Sequence, residues 1–232
     1  MRRSRGVVSL SGGADSATLL YLATTECDEL HALSVNYGQR HKKELVCAKE
    51  LCIGLNIPHT GVDFDLTVFG GSVLTDASLP VPSQYENKQS TTVVPYRNTF
   101  LITLCAAYCK QHDLNTIYMG PTYEDLACYE DCREVFMDAI ERALILGGTV
   151  HDLVIRCPFI NSRKSDVIKL GHDRFEVPYE KTWTCYKGEE DPCLECDACL
   201  ERIESFVVNE LRDPLVKDDA DWDKFKLEFV RQ

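Results

Sequence analysis

A short turn near the start of the chain has the residue types that bind an anion. Residues 11–16 read Ser-Gly-Gly-Ala-Asp-Ser and follow the apolar run at 6–10. At a strand-to-helix junction, backbone N–H groups and the helix dipole converge on a negative charge, and glycine lets the chain approach a phosphate closely. The turn matches neither G-x-x-x-x-G-K-[ST] nor G-x-G-x-x-G, which disfavours kinase-like γ-phosphate transfer and dinucleotide binding.

A group of cysteines near the C-terminal end has the spacing of a metal site. Its pattern is C-x7-C-x2-C-x2-C, and thiolates at these spacings can wrap one tetrahedral zinc ion. A closed shell of four sulfurs leaves no open position for catalysis, so we predict a structural role. An iron–sulfur cluster is the alternative that these residues leave open. The four ligands are Cys185, Cys193, Cys196 and Cys199.

Composition limits the kind of protein and its partners. The chain has 232 residues, is 44% hydrophobic and carries a formal net charge of −12. It can therefore fill one sizeable core, and its charge repels phosphate backbones, so we predict no nucleic-acid partner. We see no transmembrane span or signal peptide, and therefore expect a cytoplasmic protein whose twelve cysteines are thiols or metal ligands.

The elements that position these residues alternate between strand and helix. Such an order predicts an α/β protein with a Rossmann-like parallel sheet, helices on both faces, and ligands at the carboxyl ends of the strands. We expect Ser162 to cap the last helix, Gly171 to end it, and residues 62–96 to form a long loop. The predicted strands are 6–10, 30–37, 115–119 and 153–160, and the predicted helices are 16–22, 42–55, 99–111, 131–146 and 162–170.

The C-terminal part is predicted to be a separate unit. We assign residues 1–180 to the phosphate-binding domain and 181–232 to a small zinc-binding subdomain, in which the metal replaces a core that so short a segment cannot build. The acidic tail, 218–232, is a candidate helix of unknown role.

The motifs together resemble a known family. The S-G-G-x-D-S turn resembles the pyrophosphate loop (PP-loop) of the ATP-pyrophosphatase superfamily, which has the adenine nucleotide alpha hydrolase-like fold. Nearly the whole chain resembles the 7-cyano-7-deazaguanine synthases. Besides the turn and the cysteines, the matching segments are Tyr-Gly-Gln-Arg-His at 37–41, Val-Pro-Tyr-Arg-Asn at 94–98, Asp-Cys-Arg-Glu-Val-Phe at 131–136 and Thr-Cys-Tyr-Lys-Gly at 184–188.

The resemblance implies a ligase reaction in two ATP-dependent stages. ATP adenylates the carboxylate of 7-carboxy-7-deazaguanine, ammonia gives the amide, and a second ATP activates the amide so that it collapses to the nitrile. Adenylation is needed because a carboxylate is a poor electrophile. The implied cofactors are ATP, Mg²⁺ and Zn²⁺, and the implied assembly is a homodimer.

The resemblance also implies which residues act. Asp15, Ser16, Arg97 and Lys164 are the candidate catalytic residues, with Lys164 offsetting charge on pyrophosphate. His41 is also considered as an acid/base group. The nucleotide is expected to contact Leu10, Ser11, Gly12, Gly13, Asp15, Ser16, Arg40, His41 and Lys164. The 7-deazaguanine is expected to contact Arg97, Asn98, Asp125, Tyr129, Asp131 and Arg133.

Departures from the family pattern fall in the segments that would bind the acid. Tyr96 replaces a glycine of V-P-G-R-N, Tyr123 stands where the family has glutamate, and Glu130 stands where it has proline. One alternative is therefore a divergent member that joins the 7-deazaguanine acyl group to another amine, such as a protein N-terminus in bacterial antiviral defence. A second alternative is an RNA-thiolating enzyme of the same superfamily with an iron–sulfur cluster.

Overall fold

The central sheet has five parallel strands in the order β3-β2-β1-β4-β5. A computed structural model describes residues 4–82 and 91–229 of the chain. The chain leaves β1 toward β2 and β3 on one side and later returns to β4 and β5 on the other, so the sheet is doubly wound. The strands are β1 (Arg5–Ser9), β2 (Glu29–Asn36), β3 (His59–Asp63), β4 (Thr116–Tyr118) and β5 (Val154–Arg156).

Helices connect the strands and extend beyond the last one. Short 3₁₀ turns lie at Thr67–Phe69, Glu130–Cys132 and Tyr179–Lys181. The helices are α1 (Ala14–Glu26), α2 (Lys43–Leu55), α3 (Arg97–His112), α4 (Asp125–Cys128), α5 (Glu134–Gly147), α6 (Lys164–Phe175), α7 (Asp197–Val208) and α8 (Asp219–Phe229). The predicted helix in the acidic tail is therefore confirmed.

Helices cover both faces of the sheet, as predicted. Alternate residues of a strand point to opposite faces. Accordingly Val8 belongs to a core cluster with residues of α1, α2, α6, α7 and α8, whereas its neighbour Val7 belongs to a cluster with residues of α3 and α5. Both valines are fully buried. Within the parts of the chain that the structure describes, no helix combines the length and apolarity needed to cross a bilayer.

The sequence-based predictions were wrong at three places: one missed strand and both ends of α6. β3 was missed, because its polar sequence has no apolar alternation and its hydrogen bonds come from β2. Helix α6 is capped at Arg163, not Ser162, and Asp166 accepts the backbone N–H of Arg163 at 3.2 Å. Gly171 lies inside α6, which continues to Phe175, and does not end the helix. Glycine is needed there because a Cβ would lie 2.0 Å from the Tyr179 hydroxyl. Of the predicted loop at 62–96, residues 83–90 lie outside the described residues.

Candidate functional site

A cleft of about 260 Å³ opens at the carboxyl ends of β1, β2 and β4. It lies where the strand order reverses between β1 and β4, the usual ligand position in a doubly wound sheet. Ten of the predicted site residues line it, namely Leu10, Ser11, Gly13, Asp15, Ser16, His41, Arg97, Asn98, Asp125 and Lys164. Residues from distant parts of the sequence thus meet because their elements end at the same edge of the sheet.

The turn at 11–16 forms the floor of the cleft and is held by its own side chains. Gly12 adopts φ +95°, and a Cβ there would lie 1.9 Å from the carbonyl oxygen of Glu44, so only glycine fits. The Ser16 hydroxyl accepts the Gly12 N–H at 3.1 Å and donates to the Gly13 carbonyl at 3.1 Å. Gly13 then caps α1, leaving the helix N-terminus directed at the cleft.

Two opposite charges face each other beside this turn. Burial raises the pKa of Asp15 to about 6, although Lys164 acts in the opposite direction. Burial alone would lower the pKa of Lys164, but Glu201, Asp125 and Asp15 outweigh it and raise that pKa well above its usual value. The Lys164 ammonium donates to Glu201 at 2.5 Å. The cleft therefore holds a cationic ammonium close to the turn at 11–16.

A second cation lies deeper in the cleft among phenols. The ring of Tyr129 lies 5.6 Å from the Arg97 guanidinium, and Tyr37 is close enough to interact with that charge electrostatically. Burial opposes the charge of Arg97, yet its pKa is raised through Tyr37, Tyr129, Cys132 and Tyr186. No carboxylate within residues 4–82 and 91–229 forms an ion pair with Arg97. Arg97 is consequently available to bind an anionic group.

Four of the predicted substrate-binding residues, Asn98, Asp125, Tyr129 and Asp131, are held by hydrogen bonds in three separate pairs. Asp131 accepts the Asn98 backbone N–H at 3.2 Å and its side-chain amide at 3.1 Å. Asp125 accepts both the backbone N–H and the hydroxyl of Thr122 at 2.9 and 2.8 Å. The Tyr129 hydroxyl lies 3.1 Å from that of Thr92. These contacts rigidify the side of the cleft that faces Arg97.

Five predicted residues do not line the cleft, namely Gly12, Arg40, Tyr129, Asp131 and Arg133, and the two arginines are engaged elsewhere. The Arg40 guanidinium donates to the carbonyls of Val73 at 3.4 Å and Leu79 at 2.7 Å, and does not line the cleft. Arg133 donates to the Leu126 carbonyl at 3.3 Å and its side chain is 46% exposed. The sequence reading also left several cleft residues without a role, because single aromatic or acidic residues carry no spacing signal. They are Tyr37, Glu44, Trp183, Tyr186 and Arg202.

Tyr96, which replaces a family glycine, keeps the backbone conformation that glycine favours. It caps α3 with φ +56° and ψ +19°, in the left-handed region that costs most residues about 1 kcal/mol. Its side chain is 73% exposed, and that of Tyr123 is 56% exposed. The two substituted tyrosines thus change the outer surface near the cleft while Arg97 and Asn98 keep their places.

The four predicted cysteines converge on one point. Their sulfur atoms all lie within 4.8 Å of one another, and those of Cys193 and Cys199 are 4.0 Å apart. Cys196 caps α7 and Cys199 lies in its first turn, whereas Cys185 comes from the segment after the Tyr179–Lys181 turn. Four cysteine sulfurs this close have the donor set and the spacing to hold a single metal ion.

A parallel sheet with a phosphate-binding turn at its switch point, and a four-thiolate metal site beside it, define a class of nucleotide-binding α/β proteins. A family model described as "Queuosine biosynthesis protein QueC" matches residues 5–210. The chain therefore belongs to the QueC family.

Similar proteins agree with this assignment. The chain is 36% identical over 219 residues to a 7-cyano-7-deazaguanine synthase of Archaeoglobus fulgidus, covering 93% of this chain and 91% of that protein. It is 40% identical over 219 residues to the 7-cyano-7-deazaguanine synthase of Clostridium kluyveri, and the match covers 91% of this chain and 96% of that protein. The structure of NMN synthetase from Francisella tularensis shares the fold, with a TM-score of 0.51 and 16% sequence identity. The superposition covers 99% of this chain and 85% of that one.

Proposed function

We propose that this chain is an ATP-dependent 7-cyano-7-deazaguanine synthase that uses the cleft for both stages of the reaction. ATP adenylates 7-carboxy-7-deazaguanine with release of pyrophosphate, and ammonia displaces AMP to give the amide. A second ATP adenylates the amide oxygen with release of pyrophosphate, and loss of AMP and of both N–H protons gives the nitrile. The names of the relatives and the membership of the QueC family support this reaction.

The turn at 11–16 and Lys164 would hold the β and γ phosphates. The N–H groups at the start of α1 would supply hydrogen bonds to these phosphates. Lys164 would leave its ion pair with Glu201 and bind the departing pyrophosphate instead. Asp15 and neighbouring carboxylates can carry the Mg²⁺ that accompanies ATP. Leu10, Ser11, Gly12, Gly13 and Ser16 build this end of the site. Arg40 keeps its predicted nucleotide contact only if it leaves Val73 and Leu79.

Arg97 would hold the carboxylate of the acid, and this is the observation that carries the proposal. Its guanidinium is enclosed by phenols and has no ion-pair partner among the described residues. Such a cation favours a planar carboxylate that arrives to be adenylated. Asn98, Asp125, Tyr129 and Asp131 would surround the guanine-like ring, with Arg133 at the outer edge.

The metal that fits the cysteine cluster is zinc. With Zn–S bonds of about 2.3 Å, a tetrahedral ion places its ligand sulfurs about 3.8 Å apart. The spacing of the four sulfurs, all within 4.8 Å, fits a single ion and is too small for thiolates around a four-iron cluster. Zinc supplies rigidity there, and the four cysteines supply the closed shell.

Labelled ATP tests the proposal directly. With the acid and ammonia present, we expect pyrophosphate and AMP, with two AMP formed for each nitrile. Release of inorganic phosphate and ADP alone would sink the proposal, and an arrested amide or a product with another amine would favour the divergent-member alternative. Lys164→Met should abolish pyrophosphate release, whereas Lys169→Met, on an exposed face of the same helix, should not. The resemblance also implies a homodimer, which light scattering would test.

A further inference from the structure

The hydroxyl of Tyr186 is a hydrogen-bond donor that the folded chain leaves open to the cleft. Tyr186 lines the cleft and is half-buried. Within residues 4–82 and 91–229, no group pairs with its hydroxyl, and the only buried side-chain nitrogen or oxygen without a partner there is Nδ1 of His41. The unpaired Tyr186 hydroxyl therefore has accessible surface, and a ligand in the cleft can contact it.

The ring that carries this hydroxyl is held in place by packing. It lies against two groups of buried side chains, one around Leu74 and one around Trp183. Its plane is tilted against the His41 ring, with 5.6 Å between the ring centroids. Tyr186 directly follows Cys185, so the segment that supplies a metal ligand also positions its backbone. A donor fixed in this way does not have to be ordered when the ligand arrives.

Two cations of the cleft lie close to the same hydroxyl. Burial raises the pKa of Tyr186 well above its usual value, and the charges of Lys164 and Arg97 both act in the opposite direction. Both charges therefore reach the phenol oxygen, and all three residues line the cleft. An ordinary phenol, with a pKa of about 10, is already protonated at neutral pH, so the hydroxyl donates.

The two cations are the proposed anchors of the two reactants. Lys164 would hold the β and γ phosphates of ATP, and Arg97 would hold the carboxylate. In adenylation a carboxylate oxygen bonds the α phosphorus, the bond from that phosphorus to the bridging oxygen breaks, and pyrophosphate leaves with the electron pair. The reacting phosphorus thus joins the groups that Lys164 and Arg97 hold, and a donor close to both cations is close to it.

We propose that Tyr186 is a catalytic residue whose hydroxyl donates a hydrogen bond to a non-bridging oxygen of the α phosphate during adenylation. The hydroxyl keeps its proton throughout, so nothing is transferred to or from Tyr186. The bond accelerates the step because it is stronger in the transition state, where a fifth oxygen approaches the phosphorus, than in bound ATP. This inference rests on the proposed function and adds the group that acts on the reacting phosphorus.

Tyr186→Phe removes the hydroxyl and keeps the ring. At saturating substrates, the rate of acid-dependent pyrophosphate release should fall at least about 10²-fold. The affinity for α,β-methylene-ATP, measured by calorimetry, should stay within about threefold of wild type, because the lost contact acts in the transition state. The melting temperature and the zinc content should match those of wild type. Tyr123→Phe is the matched control, because that side chain is 56% exposed and does not line the cleft.

ATP with one sulfur on the α phosphate tests which atom the hydroxyl contacts. Sulfur is a weak hydrogen-bond acceptor, so the diastereomer that directs sulfur toward Tyr186 gains least from the hydroxyl. The ratio of the two rates of pyrophosphate release should change by at least about fivefold between wild type and Tyr186→Phe. The preference of Mg²⁺ for one diastereomer is the same in both proteins and cancels. Tyr123→Phe should keep the wild-type ratio.

Three results would overturn the role of Tyr186. They are pyrophosphate release at the wild-type rate by folded Tyr186→Phe, a loss confined to nucleotide affinity, and an unchanged ratio for the two diastereomers. If the wild-type protein released no pyrophosphate with the acid, the proposed function itself would fail, which is a distinct result.

Discussion

The backbone N–H of Trp183 donates a hydrogen bond to the carbonyl oxygen of Gly12 at 2.9 Å. Trp183 is 3% exposed, and its indole N–H donates to the carbonyl of Cys185 at 3.0 Å. The segment that supplies the first metal ligand therefore also holds the turn that would bind phosphate. Metal binding and nucleotide binding are thus expected to be linked.

Removing the metal should weaken nucleotide binding even though the metal is not in the cleft. Without an ion, the four thiolates repel one another and the segment around Trp183 loses its anchor. We expect a lower melting temperature and about tenfold weaker ATP binding, measured by calorimetry on chelator-treated protein. Restoring zinc should reverse both changes. Unchanged ATP affinity in folded, metal-free protein would contradict the linkage.

Gly12 and its neighbour Gly13 form a matched pair for testing the geometry of the turn. Gly12→Ala places a Cβ 1.9 Å from the Glu44 carbonyl oxygen at φ +95°, and should cost about 3 kcal/mol of unfolding free energy. At Gly13 the nearest atoms to a Cβ lie at 3.4 and 3.5 Å, and its φ is −77°. Gly13→Ala should cost less than about 1 kcal/mol. Urea unfolding measures both, and equal losses would be inconsistent with this geometry.

The buried ion pair between Arg202 and Asp213 should be strongly sensitive to a single substitution. Arg202 donates to both oxygens of Asp213 at 2.8 and 3.0 Å, and the two side chains are 4% and 1% exposed. Arg202 also donates to the Thr182 hydroxyl and the Tyr179 carbonyl. Arg202→Met leaves Asp213 buried and unpaired, at a cost of about 3–5 kcal/mol. Arg202→Met combined with Asp213→Leu should recover part of that loss in the same denaturation assay.

Asp15→Asn should stabilise the chain while removing activity. Because burial raises the pKa of Asp15 from 3.8 to about 6, the folded state binds more protons than the unfolded state between these values. Stability from this group is therefore present below about pH 4 and lost as pH rises through about 6. At pH 7 the neutral side chain of the Asp15→Asn variant carries no charge to bury, so we expect that variant to gain about 1 kcal/mol in free energy of unfolding. Thermal melts should show the gain vanish near pH 4; a gain that persisted there would point to another cause.

The sequence alone was sufficient for features whose physics is local. The glycines and Ser16 of the 11–16 turn, and the close spacing of Cys193, Cys196 and Cys199, predict their roles because neighbours in sequence must also be neighbours in space. The alternation of apolar strands with amphipathic helices likewise predicted the parallel sheet. Motif order then indicated the family, which the match over residues 5–210 shows.

Tertiary structure decided what depends on contacts between distant residues. The sequence could not tell that Arg40 turns toward Val73 and Leu79, or that Arg97 lies among phenols without an ion-pair partner in the described part of the chain. Nor could it reveal that Nδ1 of His41 is buried without a hydrogen-bond partner among the described residues. Side-chain direction, burial and protonation are set by which groups folding brings within hydrogen-bond distance, and sequence spacing carries no record of that.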